Sequence, residues 1–257
     1  MKHGDFTGLA DDYSKYRPDY SRPVLRGILG IAEKPAGELD TVDVGAGTGI
    51  WTRMLAGAGV RSVIAVEPNN DMRGRGAQHP DNNGVVWKTG AGEATGLPAS
   101  SADVVTMASS FHWVDFERGI AEFDRVLRPG GCFAALWNPR VIEMNPMLVE
   151  IEAYAATLKG GEIKRVSSGR AAFTDSLSER LRICGRFAEI AYLESMHVIP
   201  FTPVQYVGAW RSVNDLRVQL GADGFAAFLA YVADRIKGLD RIEAAYLTRA
   251  WVAKKAS

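Results

Sequence analysis

The stretch "TVDVGAGTG" at 41–49 sets Gly45, Gly47 and Gly49 on alternate positions, directly after a short apolar run. A turn so rich in glycine can take left-handed backbone conformations and lets a ligand approach bare main chain. An amphipathic stretch follows, with Ile50, Trp51, Met54, Leu55 and Ala58 at three- and four-residue spacings. Apolar run, glycine turn and helical pattern together open a strand–turn–helix unit of a parallel sheet. In such sheets ligands sit outside the carboxyl ends of the strands, where strand order reverses. The turn thus dictates a fold class and marks the place to look for a site.

The pattern repeats. Between 39 and 137, "TVDV", "SVIAV", "GVVWK", "ADVVTMA" and "CFAALW" read as strands and alternate with helical stretches. One of these carries Phe116, Ile120, Phe123, Val126 and Leu127 on one stripe and is stopped by "RPGG". Five strands alternating with helices predict an α/β fold with a doubly wound, mostly parallel sheet. After Trp137 the rhythm changes. Asn145 and Pro146 start a helix with Leu148, Ile151 and Leu158 on its apolar face, and glycines at 160–161 end it. Residues 160–176 carry no period and read as a mobile loop. A strand-like run follows near 187–200, and Phe225, Phe228, Leu229, Val232 and Ile236 mark a helix ending at Gly238. The closing "YLTRAWVAKK" reads as a last strand.

Composition narrows the function classes. The 257 residues hold 30 basic and 30 acidic side chains, with no basic tail or helix, which speaks against a nucleic-acid partner. Cys132 and Cys184 form no CxxC and are most simply core residues. The histidines (His3, His79, His112, His197) are scattered, so neither a metal site nor a disulfide framework is expected. No apolar run reaches about 18 residues and the first residues lack a signal-peptide core, so a cytoplasmic protein without a membrane span is expected.

The glycine turn departs from two phosphate-binding patterns. The dinucleotide fingerprint wants a glycine where Ile50 stands, and no Gly-Lys-Ser/Thr follows as a P-loop requires. Glu67 closes "SVIAV", about 20 residues on, where a carboxylate can accept hydrogen bonds from a ribose diol. "GAGEATGLP" (90–98) and "ASSFHW" (108–113) follow the third and fourth strands. Glycine turn, acid, small-residue turn and aromatic lip suit a ligand with an amino-acid end, a ribose and a base but no phosphate.

In this order, "FTGLADDYSKYRPDYSRPVL" (6–25), "VDVGAGTG" (42–49), "VEPNNDM" (66–72), "GEATGLPASSADVV" (92–105), "SSFHWVD" (109–115) and "FDRVLRPGGCFAALWN" (123–138) resemble the class I S-adenosylmethionine-dependent methyltransferases. The resemblance is to their small-molecule group with a UbiE/trans-aconitate-methyltransferase-like core. It implies a Rossmann-like, seven-stranded sheet with the last strand antiparallel and a helical cap. A single domain over 1–257 would divide into an N-terminal lid (1–38), a cofactor-binding core (39–137), a cap and acceptor-binding region (138–220) and a C-terminal helix and last strand (221–257).

The resemblance also implies roles. Gly45, Ala46 and Gly47 would pass under the methionine moiety of S-adenosylmethionine, and Asp43 would orient its ammonium, directly or through water. Glu67 would hold the ribose, with Pro68 beside it, and Met72 would line the adenine face. Gly92 and Glu93 would approach the adenine amine, and Ser109 the methionine. Tyr13, Tyr16 and Arg17 would close the lid, with Arg17 on the methionine carboxylate. His112 would serve as general base where the acceptor keeps its proton. His112, Trp113, Trp137, Trp210 and Arg211 would face the acceptor. The spent cofactor would be S-adenosylhomocysteine, the partner a small-molecule methyl acceptor. Tyr154, Phe173, Phe201, Tyr206 and Trp210 would give that acceptor a partly apolar, closed pocket.

Plainer roles stand beside these. Glu67 could cap the helix that begins near Asn69. Trp113 could extend the buried stripe ahead of Phe116, and His112 could bond structurally. Tyr13 and Tyr16 could pin the N-terminal segment, Arg17 could form a surface ion pair, and packing alone could explain Trp210. At the level of function, the alternatives are a nicotinamide-dependent oxidoreductase, a nucleic-acid or protein methyltransferase, and a cofactor-binding protein without catalysis. The acceptor and the oligomeric state are not legible in the sequence.

Overall fold

A computed structural model describes residues 10–82, 84–164 and 172–257; the start of the expected lid, residues 1–9, lies outside them. Seven strands form one sheet: β1 (Asp40–Val44), β2 (Ser62–Val66), β3 (Val85–Lys88), β4 (Ala102–Ala108), β5 (Leu127–Trp137), β6 (Glu189–Phe201) and β7 (Ile242–Lys254). Their order is β3-β2-β1-β4-β5-β7-β6. Pairs among β1 to β5 are parallel, and β7 runs antiparallel to both β5 and β6. The order reverses between β1 and β4, which puts the glycine turn at the switch point.

The helices are α1 (Ala10–Tyr16), α2 (Arg22–Ile31), α3 (Ile50–Gly57), α4 (Asn70–Ala77), α5 (Phe116–Val126), α6 (Pro146–Lys159), α7 (Ala172–Asp175), α8 (Leu177–Ile183), α9 (Pro203–Arg211) and α10 (Asn214–Arg235). Capping explains several boundaries. Asp115 accepts the Arg118 N–H at 3.0 Å to start α5, and Thr202 with Gln205 forms a capping box on α9. Asn145 caps α6 ahead of Pro146, and Gly160, at φ 71°, stops it. Gly221, at φ 69°, breaks α10 into two helical pieces.

β1 and β4 are buried on both faces, as central parallel strands are. One sheet face packs Phe111, Phe123, Phe133, Trp137 and Trp251 against α5 and α8. The other packs Trp51 and Leu55 of α3 with Val24, Leu25 and Ile28 of α2. A third core, with Ile151, Tyr206, Trp210 and Phe228, joins α6, α9 and α10 to the near ends of β6 and β7.

Three expectations need correction. Segment 138–220 is not wholly a cap, because β6 extends the sheet along all of β7. Segment 1–38 is not wholly a lid, because the apolar face of α2 is part of a sheet core. "RPGG" does more than end a helix: it lies within β5, where Gly130 N–H and Gly131 C=O bond residues just past β7. Of the expected loop at 160–176, residues 165–171 lie outside the described ones and Ala172–Asp175 is helical. Among the described residues, no helix is long and apolar enough to cross a membrane.

Candidate functional site

At the end of β1 the chain turns through Gly45 (φ 65°), Gly47 (φ 58°) and Gly49 (φ 81°). The three glycines serve different ends. A Cβ on Gly45 would lie 2.7 Å from Ser110 Oγ, and one on Gly49 would lie 2.9 Å from the Trp87 ring. A Cβ on Gly47 would meet nothing within 4 Å. Gly45 and Ala46 both donate to the Val66 carbonyl, at 2.8 and 3.1 Å, which ties the turn to the end of β2.

Glu67 follows β2 and is 6% exposed. Its Oε2 accepts the Gly47 N–H at 2.8 Å and its Oε1 the Asn69 N–H, also at 2.8 Å. Burial raises its pKa, against the lowering effect of these two backbone bonds. The carboxylate braces the glycine turn against the start of α4, whose N-cap proper is Asn69. Each oxygen keeps a second lone pair for a ligand. Helix-side bonding and a place on the site therefore coexist.

A first cavity of about 260 Å³ opens here, walled by Gly45, Ala46, Gly47, Glu67, Pro68, Asn69, Met72, Gly92, Glu93, Ser109 and Tyr13 among others. Every residue just named except Asn69 was expected at the cofactor. Trp113 also lines this cavity, 42% exposed, so it neither continues the buried stripe nor lines the second cavity. Glu93 Oε1 accepts the Asp115 N–H at 2.8 Å, which ties this wall to the start of α5.

Three expected cofactor contacts lie elsewhere. Asp43 is fully buried, bonded by Thr52 Oγ1 at 2.6 Å and Thr106 Oγ1 at 3.3 Å, and does not line the cavity. Burial pushes its pKa up to about 7, against those hydroxyl bonds and helped by the charge of Glu67. Tyr16 turns its ring onto Gly208, where a Cβ would lie 2.3 Å away, so α1 docks on α9 through it. Arg17 faces a different cavity; it stacks on Tyr13, 4.9 Å from the ring centroid, and donates to the Ser212 carbonyl at 3.0 Å.

That second cavity, about 520 Å³, lies among the end of β5, α6, α9 and the first half of α10. Trp137 and Trp210, two of the residues expected to face an acceptor, line it. Arg211 is exposed and lines neither cavity, being one helix step from the inward Trp210. Of the five aromatics expected around the acceptor, only Trp210 lines it. Phe173 packs on Phe111 and Trp137, Tyr154 stacks on Tyr231, and Phe201 and Tyr206 pack in the third core. Tyr13, Tyr20, Ile50 and Ser109 line both cavities, so the two meet there.

His112 lines neither. Trp137 Nε1–H donates to its Nδ1 at 3.3 Å, and its Nε2 is buried without a partner. Burial depresses its pKa to about 4, opposed by Asp215. The Nδ1 lone pair is taken and, in the neutral ring, Nε2 carries the proton. The geometry does not support the general-base role; the structural one fits it.

Sequence reasoning missed Tyr20, Asn69, Arg140 and Tyr246, which line these walls. Tyr20 and Asn69 lie inside the quoted motifs "RPDY" and "VEPNNDM" and were within reach. Arg140 and Tyr246 meet as an isolated antiparallel bridge, a pairing with no local signal.

Residues 42–135 match a family described as a methyltransferase domain. An uncharacterized methyltransferase of Mycobacterium tuberculosis is 36% identical over 136 residues, covering 52% of each chain. One of Schizosaccharomyces pombe is 31% identical over 130 residues, covering 50% of each. The chain thus spans about half the length of the curated relatives it matches. Among solved structures, a proposed type II methyltransferase from Anaeromyxobacter dehalogenans superposes with a TM-score of 0.65 at 23% identity, over 93% of this chain and 98% of that one. At that identity the likeness speaks for the fold.

Proposed function

We propose that the chain, whose residues 42–135 match a methyltransferase domain, is a class I S-adenosylmethionine-dependent methyltransferase that moves a methyl group from S-adenosylmethionine to a small molecule held in the second cavity. The observation that carries this reading is the junction: a cavity edged by bare glycine backbone and a carboxylate opens onto a larger one at Tyr13, Tyr20, Ile50 and Ser109.

The residues present fit the cofactor. Gly47 leaves open the space a Cβ would fill, Glu67 keeps lone pairs for a diol, and Met72 with Trp113 offers apolar surface to a base. When bound, S-adenosylmethionine supplies a methyl group on a positively charged sulfur. The chain's own work is to align donor and acceptor and to keep water out. Tyr13 and Tyr20, on either side of the turn that follows α1, border the junction and can present aromatic faces and oxygens to a cation. Among the described residues, no side chain at the junction is placed as a base at neutral pH: Tyr20 is half-buried, and its desolvation drives its pKa well above the ordinary tyrosine range. The reading therefore favours acceptors whose nucleophilic atom is already available near neutral pH.

The test is ligand-dependent stability. At about a hundred times its Kd a ligand selective for the folded state adds about 2.7 kcal/mol. S-adenosylhomocysteine should raise the melting temperature clearly and NAD(P) should not. The opposite order would overturn the reading.

A further inference from the structure

Arg17 was expected at the methionine carboxylate, yet it lines the larger cavity. There it has company. Arg140, on the loop after β5, lies face-on over the Trp210 ring, 3.8 Å from its centroid, and is 16% exposed. Its ion pair with Glu152 is loose, 3.9 Å through Nε. Tyr246, from β7, lines the same wall. It is 5% exposed, and its hydroxyl has no hydrogen-bond partner among the described residues. Both guanidinium groups act on that phenol, lowering a pKa that burial raises. Three donors from three separate elements thus converge on one wall, and none is saturated by the protein.

The rest of the cavity differs in character. Ile142, Val149, Ala153 and Leu216 give it an apolar end. Lys164 and Glu162 are exposed rim charges, where water screens them. Of the inner acids, Glu152 is paired with Arg140. On that wall Arg17, Arg140 and the Tyr246 hydroxyl outnumber Glu152, which favours an anionic acceptor over a cationic one.

We propose that Arg17, Arg140 and the Tyr246 hydroxyl anchor a carboxylate on the methyl acceptor, whose apolar body lies toward Ile142 and Leu216. The proposal rests on the methyltransferase reading and adds the acceptor's chemical class. A fixed anion on a planar guanidinium, held flat by an aromatic ring, sets orientation as well as affinity. Anchoring at this wall turns another part of the acceptor toward Ser109 and Tyr20.

An isosteric probe series tests it. 3-Phenylpropanoate, 3-phenylpropanamide and 3-phenylpropylamine are titrated by calorimetry into the full chain, with and without saturating S-adenosylhomocysteine. The carboxylate should bind about tenfold more tightly than either neighbour, as a charged hydrogen-bond pair predicts. That preference should disappear in Arg140→Gln and shrink in Tyr246→Phe, with Arg17→Gln as the second charge-removing variant where Arg140→Gln fails to fold. Equal or tighter binding of the amide or amine, no binding of the carboxylate, or a preference that survives both arginine variants overturns the proposal. The methyltransferase reading fails separately, on absent binding of S-adenosylhomocysteine in the control titration.

Discussion

Tyr20 and Ser109 meet hydroxyl to hydroxyl at 2.9 Å where the two cavities join. Tyr20 belongs to the segment between α1 and α2, whereas Ser109 directly follows β4 with a left-handed backbone, φ 55°. A serine held in that region costs on the order of 1 kcal/mol and persists only where its surroundings fix it. Here the Ser109 N–H donates to the Leu136 carbonyl at 2.7 Å, and the hydroxyl ties the N-terminal segment to the sheet's edge.

Tyr20→Phe keeps the ring contact with Trp51, whose centroid lies 5.4 Å away, and removes only the tie to Ser109. The expected stability loss is about 1 kcal/mol. Amide hydrogen exchange should quicken across residues 10–21 while β1 and β4 stay protected. Uniform loss of protection would contradict a local tie.

Glu67→Gln retains shape but not bonding. Its two oxygens receive N–H donors from Gly47 and Asn69, so either amide orientation sets an NH2 against one of them. Stability should fall by about 1–3 kcal/mol from the unpaired donor. Affinity for S-adenosylhomocysteine, followed by calorimetry, should drop at least about tenfold.

Gly45→Ala and Gly47→Ala impose similar backbone strain, about 1–2 kcal/mol for a left-handed alanine. Only the first adds a collision, with Ser110 Oγ at 2.7 Å. Denaturant titration should therefore find Gly45→Ala the less stable, and ligand titration should find Gly47→Ala folded but poor at binding. Equal stability losses would refute this division of roles.

His112 is neutral and half-buried at pH 7, with a pKa near 4 in the fold. Since an exposed histidine titrates near 6.5, its contribution to stability is complete above about pH 6.5 and lost as pH falls through about 4. Wild type should lose up to about 1.4 kcal/mol per pH unit in that window through this group, and His112→Gln should lack that slope. His112→Ala should also be less stable by about 1–3 kcal/mol, because Trp137 Nε1–H loses its acceptor. The pH profile of methyl transfer between 6 and 8 should not change.

How legible the site was depended on how local its cause is. The turn at Gly45–Gly49 and the acid Glu67 could be read directly, because positive φ angles and strand-end positions leave their mark within a few residues. The lid was read less well. Tyr13 and Arg17 lie on the cavities, but Tyr16 does not, because α1 docks through that ring on Gly208, far along the chain. Trp113 and His112, adjacent in sequence, separate for a similar reason: a 3-10 turn over Phe111–Trp113 turns His112 toward Trp137 and leaves Trp113 exposed.

By itself the sequence determined the parallel core, the glycine turn at its switch point and the carboxylate beside it. These follow from backbone sterics and strand–helix periodicity, which act over short range. Only the tertiary structure decided which cavity each polar side chain serves. Arg17 and Arg140 reach a common wall because α1 docks on α9 and because β7 inserts antiparallel between β5 and β6, bringing Tyr246 beside residue 140. Contacts of that kind join residues more than a hundred positions apart, and no periodicity in the chain encodes them.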